Sequence, residues 1–259
     1  MRFMVELIEG RVAQAALLIM VLLAIYLVSL IASRSKLKTR SIPGLEKVDS
    51  WIQKAAELKR TVFFTPGTGA VVSPDTLAAL ALLEYVAKHC VEHGARIIVA
   101  NADFTVQQVT EEIVKKAYKN AGKLDEYRPD AVRYISGRQF AFAAGVMGLL
   151  RREKPAVNFF VGEFAAEALE IAEAGRTEAI AQFGGTSTVE QLPFFMATCD
   201  ETLLGEELYT VQGYLSDDPK ATATLVGPDG GKIVAILIIL VGVILATFGN
   251  EVLVSLLKL

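Results

Sequence analysis

His89 and His93 are the only histidines in the chain, and their i, i+4 spacing places both imidazoles on one helix face, an arrangement that can hold Zn²⁺. Cys90 stands where a metalloprotease helix would need glutamate, so the HExxH reading fails. Both histidines also fall in the last turn before Gly94, where the helix dipole favours positive charge. That plainer role accounts for them, and the sequence by itself assigns no metal ligand. No histidine falls at an expected strand end, which leaves Ser-His-Asp and Cys-His hydrolysis without a general base. Cys90 and Cys199, expected in a helix and a strand respectively, read as buried free thiols. Their number and spacing suggest neither a disulfide framework nor a zinc ribbon.

The other residues with chemical potential are glycines and hydroxyls in loops. Thr65-Pro66-Gly67-Thr68-Gly69 lacks the Lys-Ser or Lys-Thr pair of a phosphate loop and carries only two glycines of a dinucleotide fingerprint. Gly184-Gly185-Thr186-Ser187-Thr188 is more suggestive, with two glycines freeing the backbone and three hydroxyls ahead of a helix. It can cradle a phosphate or carboxylate. It can equally be an ordinary turn, with Thr186, Ser187 or Thr188 as a cap paired with Glu190 or Gln191. With Asn101 and Asp103 at another strand end, the candidate ligand set is Thr65, Gly67, Thr68, Gly69, Asn101, Asp103, Gly184, Gly185, Thr186 and Ser187. Asp103, Glu163 and Asp200 can be read as a carboxylate cluster for Mg²⁺, or as helix caps and solvated charges. No catalytic constellation is complete, and no cofactor is identified.

The elements that must position these loops alternate. Helical spacing over 46–59, 74–93, 105–121, 138–152, 164–174, 188–195 and 205–215 is interleaved with short apolar runs at 61–65, 96–100, 132–135, 157–161, 179–183 and 196–199. Ser73 and Pro74 open the second helix and Gly94 closes it. Strands without clean alternation, each followed by a helix, predict an α/β fold. The expected form is a Rossmann-like, mostly parallel sheet of about six strands with helices on both faces.

Two of the helices are unusually apolar. Residues 77–87 carry only Glu84 as a charge, and 139–150 carry none. Such a helix is either the central helix of a doubly wound sheet or a surface buried by another subunit. In the second case Phe140, Phe142, Gly145, Met147, Gly148 and Leu150 are the candidate interface of a homo-oligomer.

Two uncharged apolar runs flank the α/β segment, at 12–32 and 233–248. As a helix the first is about 31 Å long and matches a hydrocarbon core of about 30 Å. It exceeds the 7–15 residues of a signal-peptide core. Arg34, Lys36, Lys38 and Arg40 follow the first run and Lys232 precedes the second. The positive-inside rule then puts the middle of the chain in the cytoplasm and both termini outside a plasma membrane. The expected organisation is an outer-side segment 1–11, a transmembrane helix 12–33, a basic linker 34–45, a cytoplasmic domain 46–226, a flexible linker 227–232, a second transmembrane helix 233–249 and an interfacial or helix-extending segment 250–259. Residues 41–231 hold 18 Lys plus Arg against 26 Asp plus Glu, which argues against nucleic acid as a partner. The partners expected are the bilayer, further copies of the chain and, at the loops above, a small anionic ligand.

Several stretches are similar to a family of uncharacterised prokaryotic membrane proteins, a domain of unknown function. They are Phe64-Thr65-Pro66-Gly67, Gln139-Phe140-Ala141-Phe142-Ala143-Ala144-Gly145, Arg152-Glu153-Lys154-Pro155-Ala156-Val157-Asn158-Phe159, Gln191-Leu192-Pro193-Phe194-Phe195 and Gly205-Glu206-Glu207-Leu208-Tyr209. The resemblance spans the α/β segment and the second apolar run. It implies a membrane location and supplies no activity, cofactor or catalytic residue. The leading expectation is therefore a membrane-anchored homo-oligomeric scaffold or binding assembly, and the alternative is a nucleotide- or anion-binding domain, enzymatic or not.

Overall fold

The computed structural model describes residues 12–34, 42–177, 179–215 and 219–247. The expected segments 1–11 and 250–259, and the basic stretch 35–41, lie outside the described residues. In chain order the elements are α1 (Val12–Arg34), α2 (Pro43–Glu57), β1 (Val62–Gly67), α3 (Pro74–His93), β2 (Ile97–Asn101), α4 (Phe104–Asn120), β3 (Val132–Tyr134), α5 (Gln139–Glu153), β4 (Val157–Glu163), α6 (Glu167–Arg176), β5 (Ala181–Thr186), α7 (Leu192–Thr198), β6 (Glu201–Leu204), α8 (Glu207–Leu215) and α9 (Pro219–Thr247). They fall into two compact units, one containing α1 and α9 and the other containing α2 to α8 with all six strands.

The six strands form one parallel sheet in the order β3-β2-β1-β4-β5-β6. This is the doubly wound, Rossmann-like arrangement, with its topological switch between β1 and β4. β1, β2 and β5 are buried at every position, so neither face needs polar residues and the sequence shows continuous apolar runs. On one face Leu45, Val48 and Ile52 of α2, Leu82 and Val86 of α3, Val114 of α4 and Leu208 of α8 pack on Val62, Phe64, Phe159 and Phe183. On the other, Phe142 and Val146 of α5, Ile171 of α6 and Phe195 of α7 pack on Phe63, Ile98 and Phe160. Each such side chain contributes about 1.5–3 kcal/mol by leaving water.

Local signals set most boundaries. Gly94 closes α3 at φ +75°, and Asp103 accepts from Val106 N at 2.9 Å to cap α4. One boundary differs from expectation. Residues 196–198 end α7, with Cys199 as its C-cap, and the last strand is Glu201–Leu204. Pro193 in the first turn starts a helix that inserts Phe195 beneath the sheet, while β6, at the edge, buries only Leu203. A half-covered edge strand lacks the apolar run that marks a central one.

The two apolar helices also resolve. α3 lies against α2, α4, α8, β1 and β4, so most of its apolar surface is consumed within the chain, while Leu77 stays exposed. In α5, Phe142 and Leu150 are buried in the domain and Gly145 faces Ile135, so these three do not form an outward interface. Phe140 is 63% exposed, Met147 is half-buried, and Gly148 faces open space.

In the other unit α1 and α9 pack against each other. Gly231 of α9 faces Ile25 and Val21 of α1, where a Cβ would lie at ordinary contact distances of 3.4 and 3.7 Å. Here α9 is continuous from Pro219 to Thr247, where a flexible linker 227–232 was expected. Among the described residues no helix is long and apolar enough to cross a membrane. The described side chains of both helices nonetheless leave Leu18, Ile19, Leu22, Leu23, Ile233, Ile236, Leu237, Ile239 and Val243 more than half exposed.

Candidate functional site

In a doubly wound sheet ligands approach the carboxyl ends of the strands, above all at the switch point. Here that point is the junction of the β1–α3 and β4–α6 loops. Gly67, at φ +81°, and Gly162, at φ +143°, press the two strand ends together: a Cβ on either would sit 2.0 Å from a carbonyl oxygen of the other strand. Thr68 N then donates to Glu163 O at 2.8 Å. Only glycine tolerates both the backbone angle and the contact.

Behind this junction Glu167, the first residue of α6, is fully buried. Its Oε1 accepts from Thr68 Oγ1 at 3.0 Å and Ala165 N at 3.1 Å, and its Oε2 accepts from Gln139 Nε2 at 2.6 Å. Gly69 lies above the start of α3, where a Cβ would stand 2.5 Å from Thr76 Oγ1 and 2.8 Å from Glu163 Oε2. The Thr76 hydroxyl is buried and has no hydrogen-bond partner among the described residues. A buried hydroxyl in that position is an unmet hydrogen-bonding demand of about 1–3 kcal/mol.

A second buried carboxylate, Asp75, closes the neighbouring loop. It accepts from Ser187 N at 3.0 Å, from Ser187 Oγ at 2.8 Å and from Tyr209 OH at 2.6 Å. Burial, then the bond to Asp75, pushes the Tyr209 phenol above its usual range. Thr188 N donates to Thr186 Oγ1 at 3.2 Å. The amides of Ser187 and Thr188 and the Ser187 hydroxyl are therefore engaged within the chain. They do not cap α7, whose N-cap is Gln191 without a side-chain bond. Gly184 and Gly185 lie within β5 and face Cys199, Phe195, Leu203 and Val161.

The remaining candidates have structural roles. Thr65 Oγ1 accepts from Gly67 N, and Asn101 accepts from Thr110 Oγ1 at 3.2 Å. Asp103 is the cap already described. Asp103, Glu163 and Asp200 do not assemble: Asp200 binds Gln182 N near the amino end of β5, opposite the switch point. The sequence reading missed Glu167, Gln139, Asp75, Thr76 and Tyr209. Asp75 and Glu167 resemble ordinary first-turn acids, and their partners lie 28 to 134 residues away. The two cysteines are free, and burial pushes the Cys199 thiol up to about 12.

A third cluster lies at the opposite end of α3, where His89 and His93 face Asp49 of α2. The hydrogen bond from His93 holds Asp49 below the usual carboxylate range, against the effect of its partial burial.

The model of one family, Domain of unknown function (DUF6754), matches residues 5–257, and the chain belongs to that family. Comparison with curated proteins and with solved structures finds no match.

Proposed function

We propose that the protein is a membrane-anchored assembly module. In this reading α1 and α9 form a hairpin in a plasma membrane and hold the α/β domain on the cytoplasmic side, with both termini outside. The observation that carries it is the band of bare aliphatic side chains on both helices, from Leu18 to Leu27 and from Ile233 to Ile244. In water such a surface exceeds what a soluble monomer tolerates. By length alone α1 and α9, at 23 and 29 residues, exceed the about 20 that a crossing takes, although among the described residues neither is both long and apolar enough. Arg34 and Lys232 flank the apolar stretches on the domain side, which supports the orientation.

The domain acts in this proposal by self-association. Its surface for that purpose is the outward side of α5, where Phe140 stands exposed beside Ala144 and Gly148. The test is extraction and mass. The full-length protein is expected to resist alkaline carbonate, to require detergent, and to have a light-scattering mass above that of one chain at micromolar concentration. A carbonate-soluble protein overturns the anchoring, and a clean monomer overturns the assembly.

A second reading places a small ligand over Gly69 at the switch point. The buried, unsatisfied Thr76 hydroxyl favours it. Asp75, Glu163 and Glu167 around it disfavour a phosphate and suit a neutral polyhydroxyl compound or a nucleoside. Adenosine or a free sugar is then expected to raise the melting temperature, and Thr76→Val to remove the effect. No shift with either compound at millimolar concentration excludes this reading.

A further inference from the structure

Asp49 Oδ1 lies 2.6 Å from His89 Nδ1 and 2.9 Å from His93 Nε2. A single carboxylate oxygen thus draws two imidazole nitrogens to one point, and the three atoms lie within 4.8 Å of one another. The residues come from two helices whose other faces are fixed in the core: Val48 and Ile52 flank Asp49, and Val86 and Cys90 flank His89, all fully buried. The His89 ring is further held by Tyr85, whose ring centroid lies 4.2 Å away. The His89 and His93 side chains are 19% and 31% exposed, so the point of convergence is sheltered yet reachable from solvent.

We propose that Asp49, His89 and His93 form a binding site for a divalent transition ion of the zinc class. Two imidazoles and one carboxylate are the donor set of an open tetrahedral site, and imidazole selects against Mg²⁺ and Ca²⁺. At metal–ligand bonds of about 2.0–2.1 Å, neighbouring tetrahedral donors stand about 3.3 Å apart. From the present 2.6 and 2.9 Å the carboxylate therefore has to retreat by about 0.7 Å from His89 Nδ1 and about 0.4 Å from His93 Nε2. To bind the ion, each imidazole presents the lone pair of the nitrogen that faces Asp49 and carries its proton on the other nitrogen. The Glu92 carboxylate, whose Oε2 lies 3.8 Å from His89 Nδ1 and whose Oε1 lies 3.9 Å from Lys88 Nζ, or a water molecule, fills the fourth position.

The bound ion ties α2, the first helix of the α/β unit, to its central helix. The site lies at the end of α3 that leads into β2, opposite Gly69, and is independent of the ligand reading above.

The experiment uses the full-length protein in detergent, stripped with EDTA, freed of chelator and dialysed against ZnCl₂. One zinc per chain is expected. At about a hundredfold excess over the dissociation constant the melting temperature is expected to rise by about 5–10 °C. Co²⁺ in place of Zn²⁺ is expected to give the visible band of a tetrahedral complex, and MgCl₂ to give no shift. H89Q/H93Q and D49N, checked for unchanged circular dichroism, are each expected to lose at least about tenfold in zinc affinity. Should the double variant fail to fold, H93Q alone at the helix end carries the same expectation. Absence of stoichiometric zinc in the wild type, or unchanged affinity in the folded variants, overturns the proposal.

Discussion

Replacing Gly184 by alanine separates a packing role from a ligand-cradling role. The added Cβ would lie 2.8 Å from Cys199 Sγ and 3.0 Å from both Cβ and Cδ1 of Phe195. Ordinary contact needs about 3.4–4 Å. The obstructing atoms are held where α7 crosses β5, and Phe195 is almost completely buried. Relief therefore requires α7 to move away from the sheet. Overpacking of this kind costs about 1–3 kcal/mol. With about 2–4 °C per kcal/mol for a domain of this size, Gly184→Ala is expected to lower the melting temperature by about 2–12 °C. Cys199→Ala removes the nearest obstacle, so the double variant is expected to recover about half of the loss, a non-additivity that a cycle measures. The assay is thermal unfolding followed by far-ultraviolet circular dichroism. An unchanged melting temperature in Gly184→Ala, or strict additivity with Cys199→Ala, refutes the packing account and restores the loop as a ligand cradle.

Glu167→Ala strands Thr68 Oγ1, Ala165 N and Gln139 Nε2 together, and is expected to destabilise the domain by about 3 kcal/mol in urea unfolding. Phe142→Ala is expected to cost about 3–5 kcal/mol, whereas Phe140→Ser stays within about 0.5 kcal/mol and lowers the light-scattering mass of the assembly. Burial keeps the Cys199 thiol protonated well above its unfolded pKa of about 8.5. Its stabilising contribution is thus complete below that pH and is lost as pH rises toward about 12. At pH 8 the thiolate fraction is about 10⁻⁴, so Ellman's reagent is expected to react slowly in native protein and fast in denaturant.

The layer order and helix faces were legible because they rest on local regularities. Apolar runs marked the buried strands, and Ser73-Pro74, Gly94 and Asp103 marked helix ends. The exceptions are instructive. β6 is an edge strand with one buried residue, so it offered no apolar run and was placed several residues early. The glycines at 227–231 suggested a linker, yet they lie within the continuous helix α9. For α5 the absence of charge suggested an interface of six residues, although helical spacing buries Phe142 and Leu150 beneath Phe140. The site was less legible than the fold. Thr68–Glu167, Gln139–Glu167 and Asp75–Tyr209 are partnerships between residues far apart in sequence that only the sheet order brings together. Likewise Asp49 sits in α2 with nothing nearby to announce its convergence with the histidines of α3.

The charge around Gly69 limits which ligand the switch point can accept. The amino end of α3 attracts anions through its amides, an effect worth about 0.3–1 kcal/mol at an exposed terminus. Against it stand Asp75 in the first turn of that helix, Glu163 beside Gly69 and Glu167 behind Thr68. At an effective dielectric constant of about 20, one like-charge pair at 4 Å repels by about 4 kcal/mol. Even after screening, a single carboxylate outweighs the helix dipole for a phosphate. Adenosine is therefore expected to stabilise the protein more than AMP at equal concentration, with the difference narrowing as salt is raised or as Glu163 is replaced by glutamine. Stronger stabilisation by AMP at low salt would show that the α3 amides, and not the three carboxylates, set the potential at this end of the sheet.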